Sequence, residues 1–262
     1  MSRRNLDGLR VAITGATSGI GRAIAVELAR RGSKLIVNGR RAERLQQLKE
    51  EIESSGGQCQ VVVGDITEPA TRVQIIEACR NQWQAVDCLI NCAGIGAMGR
   101  FDEASEQRLR QIFEVNFFSA VELIRSALPL LSAGRQPIIV NVSSVLGHRA
   151  VPFKSEYCAS KFAIHGISDA LRGELQEPKI DVLLISPSTT DSEFFDSAIE
   201  DRMQRDWKGA RAMPPERVAV VAAHAIRLGR KEVIISMGGK ALVWLDRLAP
   251  SFADYLIAKF AK

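Results

Sequence analysis

Apolar residues in this chain fall into short uninterrupted runs, separated by longer stretches in which they recur at helical spacing. The runs Leu9–Thr14, Lys34–Asn38, Cys59–Val63, Asp87–Asn91, Pro137–Val142, Lys179–Ser186 and Glu232–Ile235 predict seven strands. The stretches Ile20–Arg31, Ala42–Ser54, Glu68–Asn81, Gln107–Leu131, Ser155–Gln176 and Pro214–Leu228 predict helices. In the first of them Ile20, Ala23, Ile24 and Leu28 share one face, and Gly32 ends the pattern. Strands alternating with helices this long predict an α/β fold, a single doubly wound domain whose mostly parallel sheet is covered by helices on both faces. Runs such as Val61-Val62-Val63 suit strands buried on both sides. Residues 1–238 form this domain, and 239–262 read as a C-terminal amphipathic helical extension. There Trp244, Leu245, Leu248, Phe252, Leu256 and Phe260 recur at helical spacing with Pro250 as a break, predicting two short helices. Packing on the domain or a subunit contact ranks ahead of peripheral membrane contact through 240–262.

A length of 262 residues with 46% hydrophobic and 25% charged residues supports a core of useful size. The net charge of +5 comes from 35 basic and 30 acidic residues interspersed along the chain, with no basic tract dense enough for a nucleic-acid groove. Cys59, Cys79, Cys88, Cys92 and Cys158 form an odd set without metal-ligand spacing, so buried free thiols in a reducing compartment are expected and no metal is. The opening segment MSRRNLDGLR lacks the apolar core of a secretory signal, and no apolar stretch approaches a membrane span. A cytoplasmic location is the expectation.

The ends of the strands carry the candidate chemistry. Thr14 to Gly21 reads TGATSGIG. Its glycines allow a tight turn and close approach to a pyrophosphate, and the following helix offers free N–H groups. The second strand ends in Asn38-Gly39-Arg40-Arg41. An acid there would suit the ribose 2′-hydroxyl of NAD; two arginines suit a 2′-phosphate, pointing to NADP(H) as the preferred cofactor with NAD(H) as the lesser one. Asp65 can accept from an adenine amino group or cap the next helix, and Thr67 also fits the cap. Asn91-Cys92-Ala93-Gly94 closes the fourth strand, where Asn91 can tie neighbouring strands together and Gly94 lets a cofactor pass. Asn116 lies among Val115, Phe117 and Phe118 in the long helical pattern, which favours burial and a partner. Tyr157 and Lys161 are one helical turn apart on one face. An ammonium beside a phenol lowers its pKa and tunes it for proton transfer. Ser144, 13 residues earlier, falls at a strand end beside them.

TGATSGIG at 14–21, NCAG at 91–94, Asn116, Ser144 and YCASK at 157–161, in this order, resemble the short-chain dehydrogenase/reductase family. The resemblance covers about Leu9 to Ser236 and implies a seven-stranded Rossmann-type fold and an NADP-preferring oxidoreductase. It implies that Tyr157 trades a proton with the substrate oxygen and that Ser144 orients the carbonyl. Lys161 would bind the nicotinamide ribose and Asn116 would hold a relay water. It assigns the cofactor to Gly15, Thr17, Ser18, Gly19, Ile20, Gly21, Arg40, Arg41, Asp65, Ile66, Asn91, Ala93, Gly94, Tyr157, Lys161, Pro187, Thr190 and Ser192, and implies a homodimer or homotetramer. Cys92 replaces the family's second Asn, and Ser188 its Gly after Pro187, a position where glycine can take positive φ. Two rivals are a catalytically silent nucleotide-binding regulator or scaffold, and a dehydratase or epimerase on the same fold. The intact tetrad argues against the first and the short chain against the second.

Met98, Phe101, Leu146, Val151, Phe153, Phe194, Phe195, Met203 and Trp207 are candidate walls of an apolar pocket for a hydrophobic carbonyl or secondary alcohol. His148 and Arg149 either meet an anionic substrate group or solvate a loop; His148 is given no catalytic role.

Overall fold

Each apolar run becomes a strand and stops where the chain turns toward a shared edge. A computed structural model describes residues 4–194, 198–199 and 212–260. The strands are β1 Arg10–Ile13, β2 Lys34–Gly39, β3 Gln58–Val63, β4 Cys88–Asn91, β5 Ile138–Val142, β6 Asp181–Ser186 and β7 Glu232–Ile234. They pair in the order β3-β2-β1-β4-β5-β6-β7, and every pair is parallel. The chain goes outward from β1 to β3, then returns to β4 on the other side of β1. The loops leaving β1 and β4 therefore diverge, opening a cleft at their carboxyl ends.

Side chains alternate between two apolar layers, as the pleat requires. Val11, Ile13, Leu35, Val37, Ile90 and Val140 face one layer, completed by α1 Gly19–Arg30, α2 Ala42–Ser54 and α7 Pro215–Leu228. Ala12, Ile36, Leu89, Ile139 and Val182 face the other, completed by α3 Pro69–Trp83 and α5 Ser119–Ser132. The helix α6, Ser155–Glu174, joins this second side through Ile164, which packs with Ala120 and Leu184.

The long helix expected over 107–131 is interrupted. It consists of α4 Glu106–Phe113, a π-helical turn Glu114–Phe118 and then α5. The continuous run 106–132 has the length and mean hydropathy of a membrane span, contrary to the sequence expectation, but Leu123, Ile124, Ala127 and Leu131 on it are buried against the sheet. Arg108 of α4 is buried and pairs with buried Glu156 of α6, its Nε and Nη2 donating to Oε1 at 3.1 and 2.5 Å. Losing one member of a buried pair strands the other charge. Arg108→Ala is expected to lower stability by about 3–5 kcal/mol in urea unfolding, and Arg108→Met combined with Glu156→Leu to recover most of it.

Two helices follow β7, as expected from the tail pattern: α8 Met237–Leu248 and α9 Pro250–Phe260. Their inward residues are Val243 and Ala253, while Trp244, Leu248 and Phe252 are exposed. Large aromatic residues dominate the pattern, but the small ones fit the close contact. Arg149 fastens both helices, donating to Asp246 Oδ1 at 2.6 Å and to Asp254. It therefore neither solvates a loop nor meets a substrate.

Candidate active site

A cleft of about 530 Å³ opens at the carboxyl ends of the strands. Its floor begins at the β1–α1 turn. Gly15 has φ +70°, and a Cβ there would lie 2.7 Å from the Ala93 backbone. A Cβ on Gly21 would lie 2.2 Å from the Gly15 carbonyl oxygen. Only glycine permits this closeness between turn, helix and β4 loop. Thr14 Oγ1 completes the joint by accepting from the N–H groups of Cys92 and Ala93 at 3.1 and 3.2 Å. Ser18, the N-cap of α1, makes no side-chain cap bond, and the first turn has no acidic residue. Thr17, Ser18, Gly19, Ile20 and Gly21 all line the cleft. An uncapped helix start at a cleft wall is chemically suited to a pyrophosphate.

The next wall carries Arg40 and Arg41 after β2, with Asp65 and Ile66 after β3. Asn38 spends its amide on the carbonyls of Val62 and Gly64 at 3.0 and 3.2 Å, so polar recognition at the end of β2 falls to the arginines. Arg41 donates to Thr17 Oγ1 at 3.1 Å and to Glu193 Oε2 at 2.8 Å. Arg44 of α2 donates to the same Glu193 oxygen at 2.7 Å. The guanidinium groups of Arg44 and Arg41 hold the Glu193 carboxyl well below the usual range, at about 2. A carboxylate thus already sits between two arginines where an anionic group would be recognised. Arg40 is more exposed and lies 3.7 Å from Asp65 Oδ2. Arg44 and Glu193 were not singled out in the sequence; the three-residue spacing of Arg41 and Arg44 on a helix start was the available signal for the first.

Asp65 was expected either to be free or to cap α3, with Thr67 as the alternative cap. Neither caps the helix. Asp65 Oδ1 accepts from Thr67 N and Oγ1 at 3.0 and 2.9 Å, and the N-cap is Glu68, whose side chain makes no cap bond. A tight turn between the two residues consumes the groups that capping would need.

At the far end Ser144 leaves β5 and faces Tyr157 and Lys161 of α6. Ser144 Oγ accepts from Leu146 N at 3.1 Å, which fixes the hydroxyl at the loop's first turn. Lys161 Nζ donates to Val142 O at 3.0 Å and lies 5.7 Å from the Tyr157 ring centroid. Phe194 meets the tyrosine ring edge-on at 5.6 Å. Burial raises the Tyr157 pKa, with the Ser144 hydroxyl opposing it. Burial also pushes Lys161 down to about 8. In the chain alone the net direction is up for the phenol and down for the ammonium, because desolvation disfavours both charged forms.

Two of the anticipated residues stand behind the wall rather than in it. Asn116, placed by the π-helical turn, accepts from Ile95 N at 2.8 Å and donates to Ile95 O and Ser160 Oγ at 3.0 and 2.9 Å. It fastens the β4 loop to α6. Asn91 donates to Asn141 Oδ1 at 2.9 Å, and Asn141 donates to Ser168 Oγ at 2.9 Å. The expectation that Asn91 ties strands holds, since Asn91 and Asn141 are register partners in β4 and β5. Its side chain is turned to Asn141, and it is not among the residues that line the cleft.

Ala93, Gly94, Pro187, Thr190 and Ser192 do line it. Ser188 is not among the described residues with positive φ, and its carbonyl accepts from Thr190 Oγ1 at 3.0 Å. Serine is therefore accommodated without strain where glycine was expected. Of the apolar candidates, Leu146, Val151 and Phe194 line the cleft. Met98 is in the core, Phe101 is exposed, and Phe153 is engaged through its carbonyl with Gly99 N at 3.0 Å. Phe195, Met203 and Trp207 lie outside the described residues. Val115 and, from α8, Leu242 are further apolar walls. The first C-terminal helix, α8, thus borders the site.

The family model for short chain dehydrogenase matches residues 10–203. A mouse protein named dehydrogenase/reductase SDR family member 7B is 32% identical over 270 residues, covering 100% of this chain and 84% of its own. A Bacillus subtilis protein named uncharacterized oxidoreductase YxnA is 28% identical, covering 95% of this chain and 71% of its own. Among solved structures, a short chain dehydrogenase/reductase from Burkholderia phymatum in complex with NAD superposes with a TM-score of 0.86 at 24% identity, covering 95% of this chain and 96% of its own. An alcohol dehydrogenase from Thermococcus sibiricus complexed with 5-hydroxy-NADP gives 0.77 at 23% identity, covering 86% and 95%. With the glycine turn, the buried Tyr157–Lys161 pair and this match over most of its length, the chain belongs to the short-chain dehydrogenase/reductase family of oxidoreductases.

Proposed function

We propose that this protein is an NADP(H)-dependent oxidoreductase acting on the carbonyl or secondary alcohol of an apolar small molecule. The observation that carries the reading is the convergence of Ser144, Tyr157 and Lys161 at the end of a cleft that begins with an uncapped helix start. The residues fit a dinucleotide. Thr17 to Gly21 suit the pyrophosphate, Arg40, Arg41 and Arg44 a 2′-phosphate, and Lys161 the nicotinamide ribose. When bound, the nicotinamide supplies or accepts the hydride. The protein's own task is to hold the carbonyl oxygen and manage one proton. In reduction, Ser144 Oγ donates a hydrogen bond to that oxygen, and Tyr157 Oη gives up its proton to it. Asn116 has three of its four side-chain hydrogen-bonding positions taken, which leaves one lone pair of Oδ1 for a relay water. Leu146, Val151, Phe194 and Leu242 favour an apolar substrate.

The silent-regulator reading is disfavoured because every proton-handling group is present. The exposed Phe118 and Phe162 near α5 and α6 suit burial in a homodimer or homotetramer. Free thiols at all five cysteines suit a cytoplasmic location.

NADPH and NADH oxidation against a panel of apolar ketones, aldehydes and quinones tests the reading. Turnover favouring NADPH is expected. Arg41→Ala with Arg44→Ala should weaken NADPH by about 10–100-fold, from the loss of charge-assisted hydrogen bonds, and leave NADH within about threefold. Glu193→Gln should tighten NADPH, because the carboxylate competes for the same arginines. Equal losses for both dinucleotides would remove the 2′-phosphate assignment.

A further inference from the structure

The chain has three histidines, and two of them meet outside the cleft. His148 follows the Ser144 turn, His165 lies on α6 one turn beyond Lys161, and Glu232 opens β7. His148 Nε2 is 3.1 Å from Glu232 Oε1, and His165 Nε2 is 3.6 Å from the same oxygen. All three candidate ligand atoms lie within 4.8 Å of one another. The imidazole rings stand edge to face at 4.4 Å. We propose that His148 Nε2, His165 Nε2 and a Glu232 carboxylate oxygen form a site for a borderline divalent cation of the Zn2+ type.

Four observations carry this. The first is size. A tetrahedral centre with bonds of about 2.0–2.1 Å has ligand–ligand edges of about 3.3–3.4 Å. The two separations to Glu232 bracket that value. The second is tautomer. His165 Nδ1 lies 3.3 Å from Gly147 O, and only a ring N–H can bond a carbonyl. In the neutral tautomer with the proton there, Nε2 presents a lone pair toward Glu232. A ligating histidine commonly donates its other N–H to a backbone carbonyl in this way.

The third is charge. A neutral His165 Nε2 and a carboxylate oxygen are both acceptors, so the space between them calls for something positive. Arg172 is already engaged with Asp169 and with the carbonyls of Val182 and Lys231. Asp246, on the neighbouring wall, is paired with Arg149. A divalent cation satisfies both imidazoles and the carboxylate at once. The Glu232 oxygen nearest both rings is a buried atom shared between them.

The fourth is access. A cavity of about 290 Å³ between Phe162, Val243 and Arg247 reaches both histidines. Ser186 Oγ is hydrogen-bonded to His148 Nε2 at 3.0 Å; cation binding at that nitrogen would release the hydroxyl to bond a water in a fourth position. The three ligands come from three elements. A bound cation would therefore clamp the loop bearing Ser144 to the helix bearing Tyr157 and Lys161, as a positioning device outside the reaction path.

This assignment does not depend on the proposed activity. Its test uses the full-length chain, stripped with chelator and titrated with Zn2+, and with Co2+ as a spectroscopic probe. One cation per chain, a rise in Tm with Zn2+, and the visible bands of tetrahedral Co2+ are expected. Glu232→Gln and His165→Asn should weaken Zn2+ by at least about 100-fold, since loss of an outer-shell partner alone costs 10–100-fold. His224→Asn, which alters the third histidine, should leave binding intact. Because the first readout is made on the unaltered chain, poor folding of a variant does not decide the matter. Failure of Zn2+ and Co2+ to bind at one per chain would overturn the proposal and leave a proton-bridged cluster, as would binding that is equal in His165→Asn and the unaltered chain.

Discussion

Tyr157→Phe is expected to reduce turnover by about 10²–10⁴-fold, the range of a positioned general acid, with NADPH affinity within about threefold. The ring is buried and packs edge-on against Phe194, so phenylalanine preserves the contact and removes only the hydroxyl. The effect should fall on kcat, because the proton is needed only as charge develops on the substrate oxygen. The direction of the tyrosine's pKa adds a pH signature. Burial holds the phenol protonated throughout the neutral range. Reduction, which needs the acid, should then stay level with pH until well into the alkaline range. Oxidation, which needs the phenolate, should climb with pH. Steady-state rates of both directions across pH for the unaltered enzyme and the variant check this. Retained turnover in the variant would remove Tyr157 from the proton path.

The architecture was legible because it rests on local signals. Seven apolar runs and the helical spacing between them are enough for a parallel sheet in two layers. Glycines at 15 and 21, and the four-residue step from Tyr157 to Lys161, are sequence features with one natural geometric reading. What escaped depends on contacts between distant segments. The π-helical turn at Glu114–Phe118 has no periodic signature, since its neighbours on both sides continue a helical pattern. Arg44 joins the site only because Glu193, 149 residues later, reaches back to it. Met98 and Phe101 look alike as apolar loop residues, yet one is in the core and the other in solvent. His148 looked like a loop residue until β7 brought Glu232 beside it. The direction of the two pKa shifts has the same origin. Residue identity announces an ammonium near a phenol, but only the fold reveals how completely water is removed from both.

Lys161→Met is expected to separate stability from activity. Burial lowers the lysine from 10.5 to about 8, which corresponds to a folding penalty on the order of 3 kcal/mol. Below about pH 8 the group is charged in both states, and the penalty is fully present. From about 8 to 10.5 the native chain has lost the proton and the unfolded chain still binds it, so this group's contribution to stability rises with pH. Methionine removes the penalty and leaves Val142 O without its donor, a loss of about 1 kcal/mol. The variant should therefore be more stable at pH 7 by about 2 kcal/mol in urea unfolding, and the gain should shrink toward alkaline pH. The difference between the two stability curves isolates the lysine, because the buried thiols, whose pKa values burial raises, pull stability the other way in both proteins as pH rises. Turnover should nonetheless fall by a factor comparable to that of the tyrosine variant, with a parallel rise in KM for the dinucleotide from the lost ribose contact. A variant that is both less stable at pH 7 and still active would mean that Lys161 is a packing residue. The expected pairing, greater stability with lost turnover, is the signature of a charge kept in the interior for the reaction and at the expense of the fold.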